Sequence, residues 1–314
     1  MNSSRKRFLT VCSAVITITA ATVVPTLAQA PSPTPAPAPT ATATVEKYLL
    51  RHVHAIGDVV EENSSMNMTL TVNASLPKQK LPPFKFSNSS HERLREEVLA
   101  VTPKGDIDGV RRTYTINRKT DTEQGKAPQV IVSSLEGKTV AVRRQNGRTV
   151  VTLAKGNLAA KDRADLMKSF GKQNLSFFPA HKVAVGEEWK VPAQTAKAIF
   201  DGGDSASATG KLLEFVTYEN HRCARIRITF DVAMKLENSP HKMTMTLSGD
   251  LYHSMDIERA ISMQADGTIK MSGTEYVKEG KLTMFGTGAV KMAMTYDWLK
   301  VGGKSIVTET VVVQ

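Results

Sequence analysis

The chain has 314 residues, of which 41% are hydrophobic and only 6% aromatic, with 41 Lys and Arg against 30 Asp and Glu and a formal charge of +11. A positive surplus favours anionic partners such as phospholipid headgroups or an anionic envelope surface. The basic residues, however, are scattered (Arg111-Arg112, Arg118-Lys119, Arg143-Arg144, Arg225, Arg227) with few aromatics between them, which argues against a nucleic-acid partner.

Residues 1–30 carry a basic start (Arg5, Lys6, Arg7), an apolar run from Phe8 to Val24, and the small-x-small end Ala28-Gln29-Ala30. That is the pattern of a cleaved secretory signal peptide, so the protein is expected to be exported, periplasmic or extracellular, and not integral to a membrane. Cys12 lies inside the apolar run and does not read as a lipid-acceptor site. Cleavage removes three cations and no acids, leaving a charge of +8. It also leaves Cys223 alone, so no intramolecular disulfide is available and stability must come from a packed core. Its neighbours Ala224, Ile226 and Ile228 favour a small buried residue over a reactive thiol. Residues 31–44, PSPTPAPAPTATAT, contain only Pro, Ala, Thr and Ser and read as an extended tether.

From 45 to 56, VEKYLLRHVHAI places Tyr48, Leu49, His52, Val53 and Ile56 at helical spacing before Gly57, so a short amphipathic helix is expected. On such a helix His52 and His54 face apart. From Ser64 the period becomes two: Met66, Met68, Leu70 and Val72 alternate with polar residues. Further strands are expected at 94–102, 110–117, 130–134, 139–144 and 148–153, with turns at Lys104-Gly105-Asp106, Glu136-Gly137 and Asn146-Gly147. Residues 158–171 break the pattern: Leu158, Leu166, Met167 and Phe170 form one helical face, with Asp162 near the start and Gly171 at the end. LSFFPAHKVAVGEEWKVP, holding Pro179 and Pro192, reads as a crossing segment between an N-terminal half (45–178) and a C-terminal half (179–314).

The C-terminal half is denser in β signal, with strands expected at 208–218, 223–236, 242–255, 260–264, 268–272, 281–299 and 305–313. Turns fall at Glu219-Asn220, Asn238-Ser239-Pro240, Ala265-Asp266-Gly267 and Lys278-Glu279-Gly280. The fold class is mainly β: a large curved antiparallel sheet or half-barrel, or two similar β units, with helices few and peripheral.

Two segments resemble known families. VEKYLLRHVHAIGD resembles the opening helix of the outer-membrane lipoprotein-sorting (Lol-type) half-barrel superfamily, with Ala55, Ile56 and Gly57 in place but Asp58 where a second glycine stands. FFPAHKVAVGEEWKVP is similar to a Val-x-Val-Gly-(Asp/Glu)-x-Trp segment of uncharacterised secreted bacterial β-proteins, matched by Val183, Val185, Gly186, Glu187 and Trp189. A weaker match covers LSGDLYHSMDIERAISMQADGTI. The resemblance implies a curved half-barrel with a helical lid, in a fold whose better-known members hold lipid or acyl chains, and it implies no catalytic residues.

HKMTMTL, at 241–247, puts His241, Met243 and Met245 on one strand face. An imidazole with two thioethers would suit Cu(I). Yet the same alternation recurs at Met66/Met68 and Met292/Met294 with no histidine in phase. A distributed methionine supply suits an ordinary core, or an adaptable apolar surface for a lipid, an acyl chain or a lipidated partner. Met66, Met68, Met243, Met245, Met292 and Met294 are the candidate lining residues. No cofactor is implied, and no His-Glu-x-x-His, paired CxxC or Gly-x-Ser-x-Gly marks an enzyme. Glu187, Glu188 and Trp189 read as a turn with a tryptophan closing a sheet end rather than a sugar site. Asn63, Asn67, Asn73, Asn88 and Asn174 fit the Asn-x-Ser/Thr pattern, which matters only in a glycosylating host. The sequence leaves two other readings: an envelope interaction module without a small ligand, and a Cu(I) binder. Nothing in it fixes the oligomeric state.

Overall fold

The computed structural model describes residues 46–77, 79–200, 204–235 and 240–305. The signal segment, the tether, Asn238-Ser239 and the expected strand beyond residue 305 lie outside the described residues. The alternating segments form β1 (Lys47–Tyr48), β2 (Val59–Leu76), β3 (Gln79–Lys80), β4 (Phe84–Val101), β5 (Ile107–Glu123), β6 (Gln129–Val132), β7 (Thr139–Gln145) and β8 (Arg148–Leu153). After helix α1 (Ala160–Phe170) come β9 (Val183–Ala184), β10 (Glu188–Lys190) and helix α2 (Ala193–Ile199). The chain then runs through β11 (Ser205–Tyr218), β12 (His221–Lys235), β13 (Lys242–Ser254), β14 (Arg259–Val277), β15 (Gly280–Val301) and β16 (Lys304–Ser305).

One open, 14-stranded antiparallel sheet runs in the order β10-β11-β12-β13-β14-β15-β2-β4-β5-β7-β8, with β3, β6 and β16 paired at its sides. No gap separates the sequence halves, because β15 pairs with β2 from Thr283↔Ser75 to Lys300↔Val59. The β7–β8 hairpin turns at Asn146 and Gly147 (φ 51° and 76°), the left-handed pair that a two-residue turn needs.

Strand alternation sorts the residues onto two faces. The outer face carries Thr, Asn and ion pairs such as Arg93–Glu61, Arg111–Glu97 and Arg225–Asp250. Among the described residues the two larger apolar cores lie on the inner face, and a smaller third gathers Val60, Cys223, Ile261 and Trp298. Of the larger two, one, over β10–β15 and β2, includes Met68, Leu70, Phe230, Leu247 and Ile269; the other, over β4–β8, includes Val110, Val140 and Val142 with Leu166 and Phe170 of α1. Bending of the sheet depends on glycine at contacts where no side chain fits. A Cβ at Gly288 would lie 1.9 Å from the Thr69 carbonyl oxygen, and one at Gly249 2.1 Å from that of Gln264. Both obstacles are backbone of the neighbouring strand, so these positions accept only glycine.

Four expectations are corrected. Residues 46–56 are not helical. Apart from β1, which pairs with β9 through Lys47↔Ala184 and Tyr48↔Val183, the segment is irregular. Its burial alternates with period two: Tyr48, Leu50, His52 and His54 turn inward while Leu49, Arg51 and Val53 are exposed. A helix this short is marginal on its own, and the extended form seats Leu50 in the core, so tertiary contact prevails over pattern. The turn expected at Ala265-Asp266-Gly267 is absent and β14 runs straight through. Met263, Ala265, Gly267, Ile269 and Met271 keep one unbroken phase, buried between β13 and β15. The crossing segment ends in a helix, α2, with Pro192 at its N-cap and an alanine-rich sequence that favours helix. On α1, Met167 points outward, 42% exposed, and only Leu166 and Phe170 are buried.

Candidate ligand-binding face

The methionines lie on one face. Met292 is opposite Met66 and Val290 is opposite Met68 across β15–β2. Met294 is opposite Met263 across β14–β15, and Met243 lies between Met271 and Met234. Met66, Met68, Met243 and Met245 are sealed, between 1% and 5% exposed. Met292 and Met294 are half-buried at the border of that core. His241 shares the face but is buried beside Gly273, where a Cβ would come 2.4 Å from its ring. Among the described residues no three ligating His, Cys, Asp or Glu side chains converge as a metal site requires.

Beyond Met294 the inner face turns polar. Along β2 the phase that carries Met68 and Met66 continues through Ser64 and Glu62 to Val60. Glu62 faces Leu94 on β4 and Tyr296 on β15, and Ser64 faces Glu92 and Met294. Leu94 in turn faces Tyr114, and Glu96 faces Arg112. Arg112 donates through Nε to Glu96 Oε2 at 2.7 Å, and Gln173 donates to the same oxygen at 2.9 Å. Asn117 Nδ2 donates to Glu92 at 2.5 Å.

Burial, reinforced by Glu92 and Glu96, pushes the Glu62 carboxyl up to about 8, so it is protonated at neutral pH. Burial raises Glu92 as well, and lifts the Tyr114 hydroxyl to about 12. Arg112 stays charged: burial opposes its charge, but Glu96, with Tyr114 and Glu62, more than compensates. Glu62, surrounded by protein, still keeps accessible surface. The arrangement is a polar group of side chains beside the methionine core. Two shallow depressions, about 260 Å3 beside Arg143 and Val150 and about 320 Å3 beside Thr71, Lys85 and Ser87, are lined mainly by outer-face residues.

A cap covers the β11–β13 end of the inner face. Phe177 and Phe200 meet Phe230 edge-on with ring centroids 6.2 and 5.1 Å apart, and Tyr48 lies 4.3 Å from Phe215. Trp189 lies on Gly210 and donates to the Phe177 carbonyl at 2.9 Å, closing the sheet end as its sequence setting implies. Glu187 accepts from the Ala184 amide in that turn. Cys223 is fully buried and burial lifts its thiol to about 11, which makes it unreactive.

Two groupings escape motif reading. In the extended segment His52 and His54 do not face apart, and their rings are 4.4 Å apart with His253 of β13 6.4 Å from His52. Asp58, at the position where the Lol-type pattern has glycine, is buried. It accepts from Arg259 Nη2 at 2.5 Å, from the Gly302 amide at 2.7 Å and from the Ala55 amide at 3.0 Å.

No family model and no curated protein sequence matches the chain. Solved structures similar to it include lipovitellin, from a study of its lipid–protein interactions (8% identity, 82% of this chain and 27% of that chain, TM-score 0.40). The outer membrane protein OprG from Pseudomonas aeruginosa aligns over 78% of this chain and 98% of its own (9% identity, TM-score 0.20). A LolA superfamily protein from Nitrosomonas europaea aligns over 74% and 84% (9% identity, TM-score 0.13). The chain spans about a quarter of the length of the lipovitellin chain, and at these scores none of the likenesses carries a function across.

Proposed function

We propose that this is an exported, non-enzymatic protein that binds a hydrophobic ligand, a lipid, an acyl chain or a lipidated peptide, on the inner face of its curved sheet. The observation that carries the reading is the border at Met292 and Met294. There, half-buried methionines adjoin sealed Met66 and Met263 on one side and the polar Glu62–Glu92–Tyr296 group on the other. An amphipathic molecule fits such a border with its chain toward the methionines and its polar end toward that group. Entry requires the sealed methionines to rotate, which their unbranched side chains allow. The test is uptake of a dansyl-labelled undecanoic acid by the purified chain, read by its blue-shifted emission. Met292→Asp with Met294→Asp is expected to abolish uptake and leave the β circular dichroism unchanged. Equal uptake by that variant, or bare chain alone in native mass spectrometry after incubation with the acid, would sink the reading.

A second reading is an envelope interaction module, and one observation favours it. Among the described residues β6 pairs only with β5, and its Val130, Ile131 and Val132 are 56%, 42% and 55% exposed. An open apolar edge of this kind accepts an extended partner strand.

A further inference from the structure

We propose that residues 46–56 are a strap over the inner face, released when His52, His54 and His253 take up protons; this rests on the reading of that face as a ligand site. Main-chain pairing holds the strap weakly. Only the two residues of β1 belong to a ladder, and 49–55 have no regular structure. Side chains do most of the fastening. Leu50, 2% exposed, is part of the methionine core, and Tyr48 packs on Phe215. Arg51 pairs with Glu258 at 2.7 Å on the rim.

The remaining contact is made of imidazoles. The His52 ring lies tilted against those of His54 and His253, at 4.4 and 6.4 Å, and Phe178 touches His253 at 4.7 Å. His52 Nε2, His54 Nδ1 and His253 Nδ1 are all buried without a hydrogen-bond partner. The other nitrogen of His253 is engaged by the Arg51 carbonyl of the strap itself. The charged groups around the three rings come from several elements. Arg259 of β14 acts on all three, while Asp58, Glu96 of β4 and Asp106 of the β4–β5 turn act on His54 alone.

Protonating the cluster places like charges beside one another and beside Arg259, in a site with no acceptor for the new N–H on His52 or His253. Burial is the main cause that keeps all three neutral: His52 lies well below 6.5, His54 below it, and His253 is down at about 4. The sign follows. Each imidazole binds its proton less readily in the docked strap than when free. Docking is therefore fully favourable above about pH 6.5 and is lost as the pH falls below it. Asp58, at the base of the segment, remains tied to Arg259 and Gly302, so it supplies a fixed hinge. What the strap uncovers is the floor beneath Leu50 and Tyr48, next to Phe215 and Ala224.

The experiment is hydrogen exchange on the full mature chain between about pH 7.5 and pH 5, corrected for intrinsic rates, alongside dansyl-undecanoic acid uptake. Residues 46–54 are expected to lose protection by roughly tenfold or more while β12–β14 keep theirs. Tyr48→Cys with Val183→Cys, which joins facing residues of β1 and β9, is expected to hold that protection at pH 5 when oxidised and to lose it when reduced. His54→Gln, at the least buried ring, is expected to shift the midpoint to lower pH without disturbing the fold. Unchanged protection of 46–54 across the range, or loss of protection throughout the sheet at the same pH, overturns the strap whatever the acid does. Release of 46–54 with no uptake at any pH leaves the strap standing and removes the ligand reading instead.

Discussion

Asp58→Asn isolates the contribution of the buried ion pair at the base of the strap. The carboxylate side chain is 0% exposed and that of Arg259 3%, so neither charge has water to fall back on. Arg259 also sits 5.3 Å over the Trp298 ring, which holds it in place when its partner is changed. The amide can still accept one of the Ala55 and Gly302 hydrogen bonds, but it leaves a guanidinium buried and uncompensated. Breaking a pair of this kind costs about 3–5 kcal/mol. At a urea dependence of roughly 2–3 kcal/mol per molar, the unfolding midpoint falls by about 1–2 M. The assay is equilibrium unfolding in urea at pH 7, followed by tryptophan emission, which Trp298 beside the pair reports directly. Asp58→Leu combined with Arg259→Met removes both charges, and a well-packed apolar replacement is expected to recover most of the loss. A single variant within about 1 kcal/mol of the parent, or a double variant no better than the worse single, would show that the pair is not what fixes this end of the sheet.

Other outcomes follow from the same geometry. Gly288→Ala places a methyl on the Thr69 carbonyl and is expected to cost about 3 kcal/mol or to prevent folding, whereas Gly286→Ala, whose nearest obstacles are Leu70 and Val72 side-chain carbons at 3.3 Å, costs about 1 kcal/mol; thermal melts of the pair separate the two. Met68→Ala, in a sealed site, is expected to lose about 2–4 kcal/mol in urea unfolding, and Met292→Ala, at the border, about 1 kcal/mol. Glu62 favours its protonated form in the fold, so its contribution is fully present below about 4.5 and is lost as pH rises through about 8. Glu62→Gln is therefore expected to match the parent near pH 4 and exceed it at pH 9, by roughly 1–3 kcal/mol once partial exposure is allowed for, as read in pH-dependent urea titrations.

Dyad periodicity made most of the sheet legible, because a strand with one buried face writes its register directly into sequence. Met66 to Val72 are read that way, while the Asn146-Gly147 hairpin is read from its turn chemistry and α1 from its helical spacing. The same rule, carried further, was sufficient for two features that local turn chemistry obscured. Ala265-Asp266-Gly267 has the composition of a turn, yet its buried phase is continuous with Met263 and Met271. Glu62 stands four residues before Met66, in phase, and so belongs to the inner face despite its charge. Glu92 and Glu96 flank Leu94 in the same manner. What periodicity does not carry is the partner across the sheet. That Asp58 meets Arg259, 201 residues away, or that His52 meets His253, depends on how strands far apart in the chain are ordered, and no local pattern encodes that order. For residues 46–56 two periods coexist in one stretch. Tyr48, Leu49, His52 and Val53 satisfy a helix and Tyr48, Leu50, His52 and His54 satisfy an extended strap, and the choice belongs to the surface beneath.

Sealed methionines and a ligand-binding face are compatible, and the magnitudes explain why. An open apolar cleft of the size needed for an acyl chain would leave the lining without contacts on one side, so a binder of the proposed kind would fill it with its own side chains when empty. Burying a chain of about twelve methylenes returns on the order of 10 kcal/mol at about 0.8 kcal/mol per CH2. Displacing a packed side chain costs about 1–3 kcal/mol when strain results. Two or three methionines can therefore rotate aside with a net gain, and their unbranched, polarizable side chains lower the strain that branched residues would suffer in the same place. Gly249 and Gly288 contribute from the other direction, since they admit the close strand approach beside which methionines from β2, β13, β14 and β15 share one core. On the proposed reading, the composition that looks like a loose core, rich in methionine and poor in aromatics, would let the same face be closed by itself or by a ligand. A strap fastened by three titratable rings would then set which of the two states is reached.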